Sequence, residues 1–126
     1  MTPRIDVTAA VVERDGRFLV TRRLEGTHLA GFWEFPGGKA HPGESLPECL
    51  AREIREELDA DLDVGEEMLA TEHAYPERVV VLHFFRCGLK SEPRPVMGQL
   101  MQWVTRDELA TLRLPPADDE LVRRLT

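Results

Sequence analysis

The most informative segment of the sequence runs from Gly37 to Leu58 and reads GGKAHPGESLPECLAREIREEL. Its second half predicts a helix over Leu46–Leu58, because apolar residues recur at every fourth position and form one buried stripe. These residues are Leu46, Leu50, Ile54 and Leu58. Ser45 is placed to be the N-cap, and Glu48, three positions later, is its expected capping-box partner. The segment therefore predicts a well-defined amphipathic helix.

Three glutamates of this helix share one face. Glu53, Glu56 and Glu57 stand at i, i+3 and i+4, so their like charges repel one another at neutral pH. One interpretation is a solvated face balanced by Arg52 and Arg55. The other is a site for a hard divalent cation, which prefers carboxylate oxygens. The pair Gly37-Gly38 just before the helix favours the cation site, because glycines allow the backbone to approach a ligand closely and to adopt a positive φ.

Strands are predicted on both sides of the helix from runs of apolar and β-branched residues. They cover Ile5 to Glu13, Phe18 to Arg22, Phe32 to Phe35, one or two strands in Leu62 to Tyr75, Arg78 to Cys87, and Leu100 to Val104. The turn signal Arg14-Asp15-Gly16-Arg17 makes the first two strands an antiparallel hairpin. Thr105 and Glu108 predict a second capping box, and a terminal helix is expected over Ala117 to Leu125. This order predicts an α/β fold with a mixed sheet, in a single domain of residues 1–126.

The composition narrows the range of functions. The net charge of −7 argues against a general nucleic-acid binder, which usually carries a basic excess. No run approaches the roughly 18 apolar residues of a membrane span, and residues 1–6 lack a signal-peptide core, so a cytoplasmic protein is expected. The two cysteines, Cys49 and Cys87, do not form a CxxC pair and are expected to be buried thiols.

The acidic helix and the glycines before it resemble a known motif. Gly38, five residues, Glu44, seven residues and then Arg52-Glu53-Ile54-Arg55-Glu56-Glu57 are similar to the Nudix box, G-x5-E-x7-REU-x-EE-x-GU, where U is aliphatic. Asp59 and Ala60 depart from it, standing where the family has Gly and a larger aliphatic residue. Asp59 is expected to end the helix in the left-handed conformation, which Asp tolerates better than most residues.

Further segments resemble the MutT-like branch of the Nudix family. They are Phe18 to Arg23, Gly31 to Lys39, Tyr75 to Arg78, and Pro115 to Asp118. The resemblance implies a mixed β-sheet sandwiched between helices, an α/β/α arrangement. It also implies hydrolysis of a nucleoside triphosphate to a monophosphate and pyrophosphate, with Mg²⁺ as cofactor and Mn²⁺ as the alternative ion. Many members of the branch remove oxidised or noncanonical nucleotides. A monomer and a homodimer are both compatible with the sequence.

Two other functions are alternatives to this one. One is a Nudix hydrolase for a diphosphate-linked nucleotide, such as a nucleotide sugar or dinucleotide; such members often carry an extra N-terminal region. The other is a nucleotide-binding module that has lost catalysis, against which the four intact glutamates argue.

The resemblance assigns roles around the helix. Glu53, Glu56 and Glu57 are expected to bind Mg²⁺ with the carbonyl of Gly37, and Glu53 to orient the attacking water. Glu44 is expected to support this cluster, and Arg52 to hold the carboxylates by ion pairing. For Glu44 and Arg52, purely structural salt bridging remains the alternative.

The substrate is expected to contact residues outside the acidic helix. They are Arg23, Phe35, Lys39, Arg78 and Asp118, with Tyr75 as a second candidate for stacking. The alternatives are a core aromatic for Phe35, a surface strand residue for Arg78 and a helix cap for Asp118. Some relatives have Asn in place of Asp118. An ionised Asp118 would only accept hydrogen bonds and so favour the amines of cytosine or guanine, while Asp119 is a second candidate for the same role.

The segment Val96-Met97-Gly98-Gln99 lacks the glutamate that some relatives add to the metal site. Gln99, Gln102 or water is expected to take its place.

Overall fold

The computed structural model describes residues 2–27 and 29–126. Within these described residues, seven strands and three helices follow one another, with a 3₁₀ turn before the last helix. They are β1 (Arg4–Arg14), β2 (Arg17–Arg22), β3 (Trp33–Glu34), β4 (Gly37–Lys39), α1 (Leu46–Leu58), β5 (Leu62–Tyr75), β6 (Arg78–Leu89), β7 (Met101–Thr105), α2 (Arg106–Leu109), the 3₁₀ turn Pro116–Asp118 and α3 (Asp119–Leu125).

The strands form one mixed sheet, which confirms the prediction. Its main path is β3-β2-β1-β6-β5, with β4 paired to β1 and β7 paired to β2. β1 and β6 are parallel, whereas the other pairs are antiparallel. β1 is the central strand: its first half lies between β4 and β6, and its end forms the hairpin with β2.

The two faces of the sheet carry two separate cores, because side chains alternate along β1. Ala10 and Val12 pack with the stripe of α1, whereas Ala9 and Val11 pack with Leu109 of α2 and Leu121 of α3. Helices therefore cover both faces, as the α/β/α prediction requires.

Local signals predict the ends of α1 correctly. Ser45 accepts a hydrogen bond from the Glu48 amide and Glu48 accepts one from the Ser45 amide, so the capping box is complete. At the other end Asp59 adopts φ 50° and ψ 42°, the left-handed cap expected for it. Arg94 forms an ion pair with Asp59. The hairpin turn is likewise left-handed at Asp15 (φ 52°) and Gly16 (φ 76°).

The Gly37-Gly38 segment differs from the expectation. The sequence predicts a turn with positive φ, but both glycines lie in the extended strand β4. The tertiary structure explains the difference: a Cβ on Gly37 would lie 2.0 Å from the Thr8 carbonyl oxygen of the neighbouring strand. Glycine is needed here for close approach rather than for backbone conformation.

The middle of the sheet contains a buried histidine. His83 of β6 bonds Asp6 of β1 at 2.9 Å through Nε2 and Glu67 of β5 at 3.0 Å through Nδ1. Burial acts to lower the pKa of His83, but the two carboxylate hydrogen bonds outweigh it and raise the pKa. His83 therefore has a structural role, since its ring joins three adjacent strands.

Both cysteines are buried and unpaired, as expected. No helix formed by residues 2–27 and 29–126 is long and apolar enough to span a bilayer.

Candidate functional site

Arg52 on α1 is the centre of an ion-pair network. Its Nε and Nη2 bind the two carboxylate oxygens of Glu44 at 2.7 and 3.0 Å, a bidentate geometry. Its Nη1 lies 3.0 Å from Glu53 Oε1 and 3.2 Å from Glu56 Oε2. Hydrogen bonds from Arg52 and from the His41 amide lower the pKa of Glu44 to about 2. Arg52 thus forms ion pairs with three of the four glutamates.

Glu53 packs against the backbone of β4. A Cβ on Gly38 would lie 2.3 Å from the carboxylate carbon of Glu53, so only glycine leaves room for this side chain. Ala10 donates to the Pro36 carbonyl and Ala40 donates to the Asp6 carbonyl. Antiparallel pairs alternate, so Gly37 falls on a non-hydrogen-bonded pair and its carbonyl points away from β1. The Gly37 carbonyl and the glutamates of the acidic helix therefore belong to two neighbouring elements, β4 and α1.

Glu57 is partly buried, like Glu53 on the same helix. Burial and, after it, the negative charges of Glu53, Glu34 and Glu56 together raise the pKa of Glu57 to about 8. Glu34 of β3 pairs with Arg23 at 2.9 Å. Burial nevertheless outweighs that pair and raises the pKa of Glu34. Four carboxylates therefore share one small region.

Two cavities meet at Arg23 and Glu34. The first, of about 140 Å³, is lined by Glu57, Thr21, Met97 and Gln99 besides that pair. The second, of about 170 Å³, is lined by Phe35, Gly37, Tyr75 and Asp118 besides the same pair. Because Arg23 and Glu34 belong to both, the cavities form one cleft from the acidic helix to Asp118.

Asp118 is 3% exposed and lies at the start of α3. Within the described part of the chain its side chain makes no capping hydrogen bond. Burial raises its pKa to about 7, with the charges of Glu34 and Asp119 adding to the effect. Because desolvation disfavours the charged form, Asp118 is not held fully ionised near pH 7, unlike the ionised carboxylate considered from the sequence. Near pH 7 this carboxyl can donate as well as accept.

The other predicted substrate residues lie in different places. Phe35 is 3% exposed and packs edge-to-face on Phe84, so it forms cavity wall rather than an open stacking surface. Arg78 is exposed and stands over the Tyr75 ring, 5.7 Å from its centroid, at the rim of the cleft. Lys39 is not brought to the cleft; it lines a separate surface groove with Asp6, His41 and Glu44.

Comparison with known proteins identifies the family. The NUDIX domain pattern matches residues 7–124. The chain is 36% identical to the CTP pyrophosphohydrolase of Escherichia coli K12 over 119 residues, covering 94% of this chain and 88% of that protein. It is 32% identical to the 8-oxo-dGTP diphosphatase of Haemophilus influenzae over 123 residues, covering 96% and 90%. The chain belongs to the Nudix hydrolase family.

Solved structures agree with this assignment. The solution structure of the E. coli ORF135 protein superposes with a TM-score of 0.87 at 34% identity, covering 97% of this chain and 88% of that one. The crystal structure of a MutT protein from Methanosarcina mazei Go1 superposes with a TM-score of 0.86 at 27% identity, covering 98% and 94%. The protein is therefore a MutT-like Nudix hydrolase with the α/β fold of that group.

The donor chemistry of this Nudix hydrolase fits a divalent cation. Glu53, Glu57 and the Gly37 carbonyl offer hard oxygen donors. The raised pKa of Glu57, caused first by burial and then by neighbouring glutamates, shows that its ionisation is unfavourable here, and a dication would offset that cost. Within residues 2–27 and 29–126, no three His, Cys, Asp or Glu side chains form a ready-made metal cage. One reason for this spacing of the carboxylates is that Glu53 and Glu56 are ion-paired with Arg52. Mg²⁺ needs few protein ligands and keeps several waters.

The loop before β7 in this Nudix hydrolase is attached to α1, partly through Gln99. Gln99 Nε2 donates to the Glu57 carbonyl at 3.0 Å, and its Oε1 accepts from the Met97 amide at 2.9 Å. The Val96 and Arg94 amides bond the Glu57 and Leu58 carbonyls. Gln99 therefore fastens the loop to the end of α1, and its carbonyl oxygen is engaged within the loop.

Sequence reasoning missed two features of the site. One is Glu34, for which the sequence analysis predicts no role, although an acidic residue inside the apolar run Phe32-Trp33-Glu34-Phe35 indicates a functional side chain. Thr8 was also missed; it is buried and its hydroxyl donates to the Gly38 carbonyl at 3.2 Å.

Proposed function

We propose that this Nudix hydrolase cleaves a nucleoside triphosphate to a nucleoside monophosphate and pyrophosphate in the presence of Mg²⁺. Removal of oxidised or noncanonical nucleotides is the purpose we infer. The observation that carries the proposal is the cleft joining the acidic helix to the buried Asp118 through Arg23 and Glu34. The cleft places cationic and acidic groups at one end and a hydrogen-bonding group in an apolar wall at the other. The E. coli and H. influenzae relatives are named for reactions on CTP and 8-oxo-dGTP, respectively.

The residues divide into two groups in this proposal. Glu53, Glu56, Glu57 and the Gly37 carbonyl would hold Mg²⁺, which neutralises phosphate charge when it is bound. Glu53 is the residue proposed to orient the attacking water, because it lies against β4 and is fixed by Arg52. Arg23, at the junction of the two cavities, is proposed to bind phosphate with its planar guanidinium. Glu44 and Arg52 act as positioning residues.

Asp118 is proposed to recognise the base from the far end of the cleft. Since its pKa of about 7 lets it carry a proton, it can pair with a base edge that presents both a donor and an acceptor. This replaces the expectation of an acceptor-only carboxylate. Tyr75 and Phe35 supply the apolar walls beside it.

The test is a panel of canonical, oxidised and methylated triphosphates assayed with Mg²⁺, with pyrophosphate and phosphate measured separately. Pyrophosphate is expected as the main inorganic product, with one or a few bases strongly preferred. A nucleotide sugar and a dinucleotide should be included as comparison substrates. Higher kcat/KM on these, or phosphate as the main product from triphosphates, would overturn the proposal.

A further inference from the structure

Three elements of the site meet at one buried polar contact. Thr8 of β1, Gly38 of β4 and Cys49 of α1 lie within hydrogen-bond reach of one another. Thr8 is 1% exposed and Cys49 is fully buried, and the hydroxyl and the thiol are both engaged in this contact. We call these three residues the β1–β4–α1 joint.

The two side chains can satisfy each other and the backbone. The Thr8 hydroxyl donates to the Gly38 carbonyl at 3.2 Å, and its oxygen lies 3.3 Å from the Cys49 sulfur. The thiol proton can then go to Thr8 Oγ1, or to the Gly38 carbonyl at 3.5 Å. Burial raises the pKa of the Cys49 thiol, which keeps its proton in place as a donor. Each donor therefore has an acceptor, and these hydrogen bonds connect the sheet to helix α1.

The joint lies beside two groups of the proposed site, the Glu53 carboxylate and the Gly37 carbonyl. Gly38 is the residue whose Cα faces the Glu53 carboxylate, where even a Cβ would come within 2.3 Å. Gly37, the proposed carbonyl ligand, directly precedes it. Sliding β4 along α1 would move the Gly37 carbonyl and Glu53 relative to each other. Arg52 Nη2 adds a bond to the Lys39 carbonyl at 3.2 Å, at the next residue of β4.

We propose that Thr8 and Cys49 are positioning residues that hold β4 in register with α1, and so set the position of the Gly37 carbonyl relative to the Glu53 carboxylate. They act through Gly38, and neither is proposed as a ligand of substrate or metal. The inference rests on the proposed function, since it concerns the same reaction. Its distinctive prediction is that hydrogen bonding at Thr8, rather than its volume, sets turnover.

The test compares Thr8→Val, which keeps the volume and removes the hydroxyl, with Thr8→Ser, which keeps the hydroxyl. Cys49→Ala removes the second partner, and Cys87→Ala is the matched control at the other buried cysteine, on β6. Thr8→Val and Cys49→Ala are each expected to lower kcat roughly 10- to 100-fold, with KM changing less than about threefold. Thr8→Ser should stay within about threefold of the parent, as should Cys87→Ala.

A second measurement is independent of turnover. Mn²⁺ binding without nucleotide, followed by electron paramagnetic resonance, should weaken about tenfold in Thr8→Val and hardly change in Thr8→Ser. Thermal unfolding of every variant shows which changes reflect stability alone. If Thr8→Val melts at a lower temperature but keeps kcat and Mn²⁺ affinity, the joint is merely structural and the inference is wrong. If the parent protein itself releases no pyrophosphate from any triphosphate, the proposed function fails instead.

The double variant Thr8→Val/Cys49→Ala gives a further check. Because both side chains serve one bridge, its loss of kcat should be close to that of either single variant rather than their product. Fully multiplicative losses would show that the two residues act independently, against the joint.

Discussion

Replacing Glu57 by Gln should change how the stability of the metal-free protein depends on pH. Burial and the neighbouring glutamates raise the pKa of Glu57 from 4.5 to about 8 in the folded chain. A carboxyl with a higher pKa when folded binds its proton more tightly in that state. Its contribution to stability is therefore complete below pH 4.5, and it is lost as pH rises to about 8. At about 1.36 kcal/mol per pH unit, the loss approaches roughly 5 kcal/mol.

The Gln side chain stays neutral and removes this loss. Near pH 5, Glu57→Gln should match the parent within about 1 kcal/mol, because Glu57 is then protonated. Near pH 9 the variant should be more stable by several kcal/mol. At pH 7 the variant should gain only part of this stability, because a carboxyl with a pKa of about 8 is still mainly protonated at that pH. The full gain would appear at pH 7 only if all three helix glutamates were ionised there. Asp118 and Glu34 titrate in both proteins, so the difference between the two proteins isolates Glu57.

The assay is urea unfolding at intervals from pH 5 to pH 9 in the presence of a chelator. Glu72→Gln, which neutralises an exposed carboxylate on β5, is the matched control and should run parallel to the parent. Adding Mg²⁺ at pH 9 at a hundred times its Kd should stabilise the parent by about 2.7 kcal/mol and the Glu57→Gln variant by much less. A difference between parent and Glu57→Gln that stays constant across this pH range would refute the reasoning.

Three further predictions concern the rest of the site. Gly38→Ala should cut kcat at least about 100-fold with little loss of melting temperature, because the clash falls on the Glu53 carboxylate. Gly37→Ala should lower the melting temperature sharply, because its clash is with backbone; similar melting temperatures for the two variants would contradict this. Asp118→Asn should flatten the pH dependence of base preference near pH 7, measured as kcat/KM ratios at pH 6 and pH 8; an unchanged dependence would exclude base recognition by this group. Gln99→Ala should free the loop from α1 and speed hydrogen exchange at the Val96 amide, whereas unchanged exchange would mean that Gln99 holds nothing in place.

The sequence predicts α1 to the residue because the signals for it are local. Ser45 and Glu48 cap its start, Asp59 can adopt the left-handed conformation that ends it, and the apolar stripe has helical period. The Nudix motif falls on this helix, so the motif alone is enough to name the candidate metal residues. The mixed sheet follows for a similar reason, since the hairpin turn at Asp15-Gly16 requires an antiparallel pair.

What could not be predicted depends on neighbours distant in the sequence. Gly37 is in a strand because the Thr8 carbonyl lies against it, and nothing near Gly37 in the sequence shows this. The pKa of Asp118 is raised to about 7 because burial and the charge of Glu34 act on it, and both are tertiary effects. Lys39 follows the glycines directly, yet the path of the chain takes it to another groove.

The parallel pairing of β1 with β6 has a consequence for the order of folding. It joins residues 4–12 to residues 79–87, and the acidic helix lies in the chain between them. Strands this far apart in the sequence can pair only after a long loop has closed. The entropy cost of closing that loop comes before the contacts that offset it, so we expect this step to limit the folding rate. The capping box and apolar stripe of α1 are local and can form sooner. A nascent chain that ends before residue 79 would therefore carry the whole acidic helix without the strand that holds β1, and hence β4, in place.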